Sequence, residues 1–424
     1  MAKQQKPDEY FRRGPIEIAR FGKGVFFRSK WDEEEHRNYL KRVIEYGPTS
    51  KGIVDADVAV AIGLVRRSAP LDAMRAAYHL MCMENSSAAD QPEETEESVQ
   101  AVHGLEFIQN VVASTKHELF TNDGDLEKDI PEVFRLVGRI NKAVTRDFLA
   151  AEMLRNRDDP EKDSTLEEFR YEAINHWVHV RGERYTAHER ENLEDLLLGH
   201  DEAIRAVLGL SSAELVDGVN RIIESLTMGF GDAVLEMKEI DEICSPDFLA
   251  AVENSEFGIS CLEDAQRLMQ QILAERGLTN RTASAQDILQ GYGLFDLERI
   301  TGWPYQCLDQ LSWEIGQADQ FLDDQEFSGW PTRATPISRR PFLKIGNRYY
   351  CFSVFGLCDH FYRVVEKTVR SHSKEMTALW NLREKEVTET VPLKYFEILL
   401  PGCEKLHDIH YRWFPVGGHP KCTT

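Results

Sequence analysis

The sequence has no long hydrophobic run. No apolar stretch approaches the ~20 residues that a membrane-spanning helix needs, and the opening "MAKQQKPDEYFRRG" is not followed by the apolar segment of a secretory signal. The eight cysteines are scattered and none forms a C-x-x-C pair, which favours reduced thiols over a disulfide framework. We therefore expect a cytoplasmic protein without membrane contact.

Positive charge is scarce overall, since 50 Lys and Arg face 72 Asp and Glu for a net charge of −22. This balance excludes a chain that coats nucleic acid or an anionic membrane along its whole length. Residues 333–424 differ, with 15 basic and 9 acidic residues, a net of +6 against −28 for residues 1–332. This last part has an electrostatic reason to approach a phosphate backbone, and a surplus of surface cations without a partner is the alternative.

Strong catalytic motifs are absent as well. The triplet Glu236-Met237-Lys238 matches the E-x-K of metal-dependent nucleases, but the helical spacing of "GDAVLEMKEIDEI" sends Glu236 and Lys238 to different faces. The triplet is therefore interpreted as part of a solvated helix. A set of His and Cys residues near the end lacks the paired short spacing of zinc fingers, so no metal site is predicted there. These residues are Cys403, His407, His410, His419 and Cys422.

Helical periodicity dominates the chain. Apolar residues recur at helical spacing through most of residues 31–330, and the capping boxes Ser164–Glu167, Thr186–Glu189 and Ser211–Glu214 mark helix starts. The acidic stretch at residues 84–98, "ENSSAADQPEETEES", predicts a linker or mobile loop. We predict a mainly α fold, a helical bundle or array with small β-hairpins near both ends and an incomplete α/β element at the C-terminus.

Two stretches carry hairpin chemistry. Near the start, "PIEIARFGKGVFF" predicts a strand or hairpin, and "PFLKIGNRYYCFS" predicts two strands about a turn at Gly346 and Asn347. Pro331, Pro336 and Pro341 exclude a helix just before the second hairpin. The prediction is three consecutive parts. They are residues 1–97, a helical region with a short hairpin; 98–330, a helical bundle; and 331–424, a hairpin with further helices.

The order of elements in the last ~90 residues resembles a known class. The hairpin "RRPFLKIGNRYYCFS" is followed by the helix "LCDHFYRVVEK", Trp380, the segment "EKEVTETVPLKYFEILLPG" and the strand "DIHYRW". This order resembles the start of a nuclease-related domain of the restriction-endonuclease-like, PD-(D/E)xK class, in which a long helical region often precedes the domain. The resemblance implies that Glu389 is the early catalytic glutamate, with Phe396 and Pro401 at the expected later positions. The central acid and the downstream E-x-K of that class have no counterpart after Tyr411.

The resemblance implies a function for the whole chain. It implies a helical scaffold or regulatory part of a nuclease-like protein, in nucleic-acid processing or phage defence, without cleavage activity by itself. The chain would hold no cofactor, and Mg²⁺ would act only in a core completed by a partner chain or a downstream segment. DNA is the expected ligand, and the candidate contacts are the basic side chains Arg339, Arg340, Lys344 and Arg348. The alternative is a helical protein-interaction module unrelated to nucleic acid.

The apolar pattern of residues 381–412 predicts a surface that a full sheet would normally cover. One helix face carries Val387, Val391, Tyr395, Ile398 and Leu399, and one strand face carries Ile409, Tyr411 and Trp413. If both remain exposed, self-association or a protein partner at this segment is expected. In the alternative, the helix folds back onto the bundle and the strand joins the hairpin at residues 342–353.

Overall fold

The protein is mainly helical, which confirms the predicted fold class. The computed structural model describes residues 9–13, 16–21, 24–29, 33–88, 96–156, 193–253, 262–291, 293–323, 325–402, 410–411 and 422–423. The helices are α1 (Glu33–Arg66), α2 (Pro70–Ala88), α3 (Glu96–Ser114), α4 (Leu126–Lys142), α5 (Ala150–Asn156), α6 (Asp201–Leu208), α7 (Ser212–Glu253), α8 (Leu262–Glu275), α9 (Thr279–Leu289), α10 (Leu297–Thr301), α11 (Tyr305–Leu311), α12 (Val354–His372) and α13 (Lys374–Leu399).

The strands are short and fall into small sheets. They are β1 (Glu9–Arg13), β2 (Ile16–Phe21), β3 (Gly24–Ser29), β4 (Ser312–Glu314), β5 (Phe342–Ile345), β6 (Arg348–Tyr350), β7 (His410–Tyr411) and β8 (Cys422–Thr423). They form one sheet of β1-β2-β3, one of β4-β5-β6 and one pair of β7 with β8. Both predicted hairpins are confirmed. Strand β1 extends the first hairpin and β4 extends the second, and neither extra strand was predicted.

The chain divides into two compact units that are not consecutive in sequence. Unit 1 comprises residues 1–59 and 138–181, and unit 2 comprises residues 60–137 and 182–424. The divisions fall inside α1 and α4. This grouping differs from the three consecutive parts proposed from the sequence, because helix periodicity gives no information about which distant helices pack together.

Unit 1 contains the antiparallel sheet β1-β2-β3 and the first part of α1. Asp57 of α1 accepts a 2.8 Å hydrogen bond from Arg139. Gly47 lies so close to α5 that a Cβ at this position would come within 2.6 Å of the Ala151 Cβ. The small residues Gly47 and Ala151 therefore allow the two helices to pack in direct backbone proximity.

Unit 2 is built around one apolar core. Its fully buried large side chains include Met74 of α2, Ile108 of α3, Phe295 before α10, Phe361 of α12 and Trp380 of α13. A smaller cluster of Ile240, Cys244, Ile272 and Leu278 joins α7 to the segment around α8 and α9. None of the described helices combines the length and apolar composition needed to cross a bilayer.

Buried polar side chains of α3 fix the segment that leads into the second hairpin. The Gln109 side-chain amide donates to the Pro341 carbonyl at 2.7 Å, and Asn110 Oδ1 accepts from the Ile337 backbone N–H at 3.0 Å. Ser353, just after β6, donates to the Glu106 carboxylate at 3.2 Å. The bonds from Gln109 and Asn110 satisfy backbone groups that a proline-rich segment cannot pair internally, so they hold the segment before β5 against α3.

Two sequence predictions concern local helix signals. The capping box at Ser211 is confirmed, because Glu214 Oε2 accepts from the Ser211 N–H at 2.7 Å and Ser211 Oγ accepts from the Glu214 N–H at 3.1 Å. The boxes at Ser164 and Thr186 lie outside the described residues. The predicted linker at residues 84–98 is wrong at its edges, since α2 runs to Ala88 and α3 begins at Glu96.

Candidate functional site

Helices α12 and α13 form the frame of the candidate site, and each begins at a serine cap. Ser353 Oγ accepts from the Gly356 N–H at 2.9 Å at the start of α12. Ser373 Oγ accepts from the Met376 N–H at 3.2 Å at the start of α13. These caps satisfy backbone donors that would otherwise lack a partner, and they fix where each helix starts.

Glu389, the residue matched to the catalytic glutamate, lies within α13. The helix that the sequence predicts around it is therefore present, while the Glu389 side chain lies outside the described part of the structure. The predicted strand at residues 409–413 is seen as β7, and it pairs with β8 rather than with the hairpin at residues 342–353. The catalytic role of Glu389 stays a prediction.

The basic side chains of the hairpin contact carboxylates of the same unit. Lys344 Nζ lies 2.9 Å from Asp309 Oδ1 and 3.3 Å from a Glu314 carboxylate oxygen, and its hydrogen bond to Asp309 raises the pKa of Lys344. Arg348 Nη1 lies 2.9 Å from Asp296 Oδ2. Because two cations face three carboxylates, the local charge of this cluster is −1 rather than positive.

Arg339 and Arg340 also make contacts within the fold. The half-buried Arg340 guanidinium lies 4.6 Å from the centre of the Trp313 ring and donates to the Ser312 carbonyl at 3.1 Å, and burial lowers the pKa of Arg340. The exposed Arg339 donates to Gln320 Oε1 at 3.0 Å. Together with Lys344 and Arg348, these residues lie in one region, but each has a structural partner.

A second group of cations, which is not among the residues predicted from the sequence, lies on α12. Arg363, Lys367 and Arg370 follow one another at spacings of four and three residues, which places them along one helix edge. They line a shallow depression together with Glu366, Ser371 and Thr377. The spacing R-x-x-x-K-x-x-R is visible in the sequence and could have identified this edge.

Glu366 organises the two arginines of this depression. Its carboxylate accepts from Arg363 Nη1 at 2.7 Å and from Arg370 Nη1 at 2.6 Å, and it is only 7% exposed. Burial raises the pKa of Glu366, but the hydrogen bonds from both arginines more than offset burial, so the pKa lies below its ordinary value. Glu366 is therefore ionised at neutral pH and holds both guanidinium groups in place.

A second feature of α13 is the stack of His200 on Trp380. The two rings are nearly parallel, with centres 3.7 Å apart, and both side chains are buried. Burial lowers the pKa of His200 to about 4, Glu366 opposes this shift and Arg383 adds to it, so the imidazole is neutral at pH 7. Neither ring nitrogen of His200 has a hydrogen-bond partner among the described residues.

The end of α13 exposes apolar side chains. Phe396 is 51% exposed, Ile398 68% and Leu399 72%. Val387, which the sequence places on the same face, is instead buried against the 3₁₀ turn Leu198–His200, where a Cβ on Gly199 would come within 2.1 Å of Val387 Cγ2. The predicted exposure is thus confirmed for Ile398 and Leu399 and wrong for Val387, while the side chains of Val391 and Tyr395 lie outside the described part of the structure.

Neither metal-ligating side chains nor related proteins indicate a further function for the described residues. Within the described ranges, no group of three or more His, Cys, Asp or Glu side chains is placed to hold a metal ion. Of the His and Cys set near the end, only His410 and Cys422 lie in described strands. No protein-family model, curated protein or solved structure matches this chain.

Proposed function

We propose that this chain is the helical scaffold or regulatory part of a nuclease-like protein that acts in nucleic-acid processing or phage defence. In this proposal the chain engages nucleic acid and does not cleave it alone. The catalytic core, with its Mg²⁺, is completed by a partner chain or a further segment, and Glu389 contributes one carboxylate to it. The resemblance matches only this one acid, and a metal-assisted displacement needs several convergent oxygen ligands.

The exposed last turn of α13 is the observation that carries this proposal. Phe396, Ile398 and Leu399 are more than half exposed at the end of a 26-residue helix. Three large apolar side chains within the last four residues of a helix favour a layer that packs on them. In the nuclease class that the sequence resembles, the sheet that follows this helix is such a layer.

The experiment is a nucleic-acid binding and cleavage assay on the full chain. We expect labelled single- or double-stranded DNA to bind with an affinity that falls steeply between about 50 and about 200 mM salt, since phosphate contacts release counterions. We expect no cleavage when Mg²⁺ or Mn²⁺ is added. Indifference to DNA at low salt would overturn the proposal. Metal-dependent cleavage lost in Glu389→Ala would overturn the statement that the chain alone is inactive.

A second function, a protein-interaction module unrelated to nucleic acid, is favoured by another observation. Helix α7 exposes Met228 (61%), Phe230 (43%) and Leu235 (65%) on a chain whose first 332 residues are strongly acidic. The variants Met228→Glu and Leu235→Glu, which place a charge on this apolar surface, would release a protein bound there and leave DNA binding unchanged. If these variants lose DNA binding, the hypothesis of a protein-interaction module unrelated to nucleic acid is contradicted.

A further inference from the structure

The edge of α12 differs in charge from its surroundings. Arg363, Lys367 and Arg370 face Glu366 and, at 3.8 Å from Arg370, Glu384, which leaves a local charge of +1 in a chain of net charge −22. A cationic edge on an acidic protein confines the approach of a polyanion, because the remaining surface repels it. Along this edge of the described surface, a phosphate backbone therefore meets less repulsion than the net charge of the chain implies.

The two arginines are held ready for a second contact. Arg363 and Arg370 each use Nη1 for Glu366, and their Nε and Nη2 groups make no hydrogen bond within the described part of the chain. Arg363 stays 62% exposed and Arg370 35% exposed at the side chain. A guanidinium fixed at one edge and open at the other loses little conformational entropy when it donates to a phosphate oxygen.

Lys367 lies between the two arginines on the same edge. It is exposed, and no ion pair or hydrogen bond of its ammonium group occurs among the described residues. Arg363 and Arg370 are seven residues apart, or ~10 Å along the helix axis, which is about three of the ~3.4 Å steps between phosphates along one DNA strand. The three cations therefore extend over a distance that includes several phosphates.

We propose that the depression formed by Arg363, Lys367 and Arg370 binds the phosphodiester backbone of nucleic acid. This inference rests on the proposed function and names the surface that performs its binding step. It moves the contact to α12 from the residues predicted from the sequence, which are Arg339, Arg340, Lys344 and Arg348.

The hydroxyl groups of the depression indicate which of its side chains can donate hydrogen bonds to a ligand. Thr377 Oγ1 donates to the Arg370 carbonyl at 2.6 Å, and Ser371 Oγ donates to the Thr368 carbonyl at 3.1 Å. Both hydroxyl hydrogens are therefore engaged by the backbone, and the cations supply the donors. Contacts of this kind position a backbone and do not discriminate bases, so binding is independent of sequence.

The test compares Lys367→Glu with Lys116→Glu, a matched charge reversal at an exposed lysine elsewhere in unit 2. Fluorescence anisotropy would follow two labelled DNA duplexes of unrelated sequence across a salt series. We expect Lys367→Glu to weaken both duplexes by about tenfold at low salt and to reduce the slope of log affinity against log salt by about one. Lys116→Glu keeps the wild-type affinity within about twofold, as expected for a charge outside the contact.

Further variants and competitors separate the outcomes. Lys367→Ala removes the charge without adding a carboxylate, and thermal unfolding of both variants establishes that the fold is kept. If wild-type protein binds DNA and the Lys367 variants bind equally well, the depression is not the site while the proposed function stands. If wild-type protein does not bind DNA, the proposed function itself fails. If inorganic phosphate displaces DNA at constant ionic strength, the depression binds a single phosphate group, and the proposal that it binds the phosphodiester backbone is wrong.

Discussion

The hairpin β5–β6 and the helix α12 carry cations of the same kind but use them differently. In the hairpin, Lys344 and Arg348 face three carboxylates, those of Asp309, Glu314 and Asp296. On α12, three cations share the two carboxylates of Glu366 and Glu384. The local charge is −1 in the first region and +1 in the second, although both belong to the basic final part of the sequence.

The difference shows that net charge along a sequence does not identify a phosphate-binding surface. Carboxylates from distant parts of the chain, such as Asp296 and Asp309, come to lie beside the hairpin only in the folded protein. Lys344 is paired with two carboxylates and offers less of its field to a ligand. The arginines of both regions are held through Nη1, so the regions differ in local charge and not in the donors that their arginines keep.

The largest expected effect is on stability, from Asp296→Ala. Asp296 Oδ1 accepts from the Glu298 N–H at 3.1 Å at the start of α10, and Oδ2 holds Arg348. Loss of the cap and of the ion pair should lower the free energy of unfolding by about 2 kcal/mol in urea titration. Asp296→Asn keeps an acceptor for the cap and should cost about half as much. An equal loss in both variants would assign the effect to the ion pair instead.

Glu366→Gln should lower stability by about 1.5 kcal/mol at pH 7, because two arginines then face a neutral acceptor. The folded-state pKa of Glu366 lies below its ordinary value of 4.5, so its contribution is present above that pH and is lost as pH falls below 4.5. Urea unfolding of both proteins from neutral to acid pH checks this. The stability difference should shrink toward zero at the acid end, and a constant difference would show that the charge of Glu366 contributes nothing.

Arg340→Ala should cost about 1 kcal/mol, since it removes the contact over Trp313 and the bond to the Ser312 carbonyl. The neighbouring Arg339→Ala is the control and should cost less than about 0.5 kcal/mol, because Arg339 is exposed and its hydrogen bond to Gln320 lies at the surface. Both are measured by urea unfolding. If Arg340→Ala weakens DNA binding by more than its loss of stability explains, Arg340 itself contacts DNA and the assignment of the contact to α12 is wrong.

The smallest effect should come from Lys344→Gln in DNA binding. Lys344 is engaged by Asp309 and Glu314, so its loss should change the affinity for DNA by less than about twofold. Lys367→Gln, the same substitution on α12, should weaken binding several-fold. A reversed order of the two variants in one anisotropy series would break the comparison between the regions.

Local chemistry determined much of the fold from sequence. The turn at Gly346 and Asn347 follows from a glycine that adopts φ +63, and the capping box at Ser211 follows from side chains that bond their own helix start. Helical periodicity predicted the mainly α class, including the helix that carries Glu389. Each of these signals works within a few residues, so a single sequence contains all the information that they need.

Only the tertiary structure decided which groups meet. Strand β4 pairs in parallel with β5 although 27 residues separate Glu314 from Phe342 in the printed sequence, and no local pattern marks that partnership. The same holds for Asp296 beside Arg348 and for Val387 against Gly199. The sequence spacing places Arg363 and Arg370 on one helix edge. The burial of Glu366, which holds both arginines, results from the elements that pack around α12. Pairing across long sequence separations depends on chain topology, which local propensities do not specify.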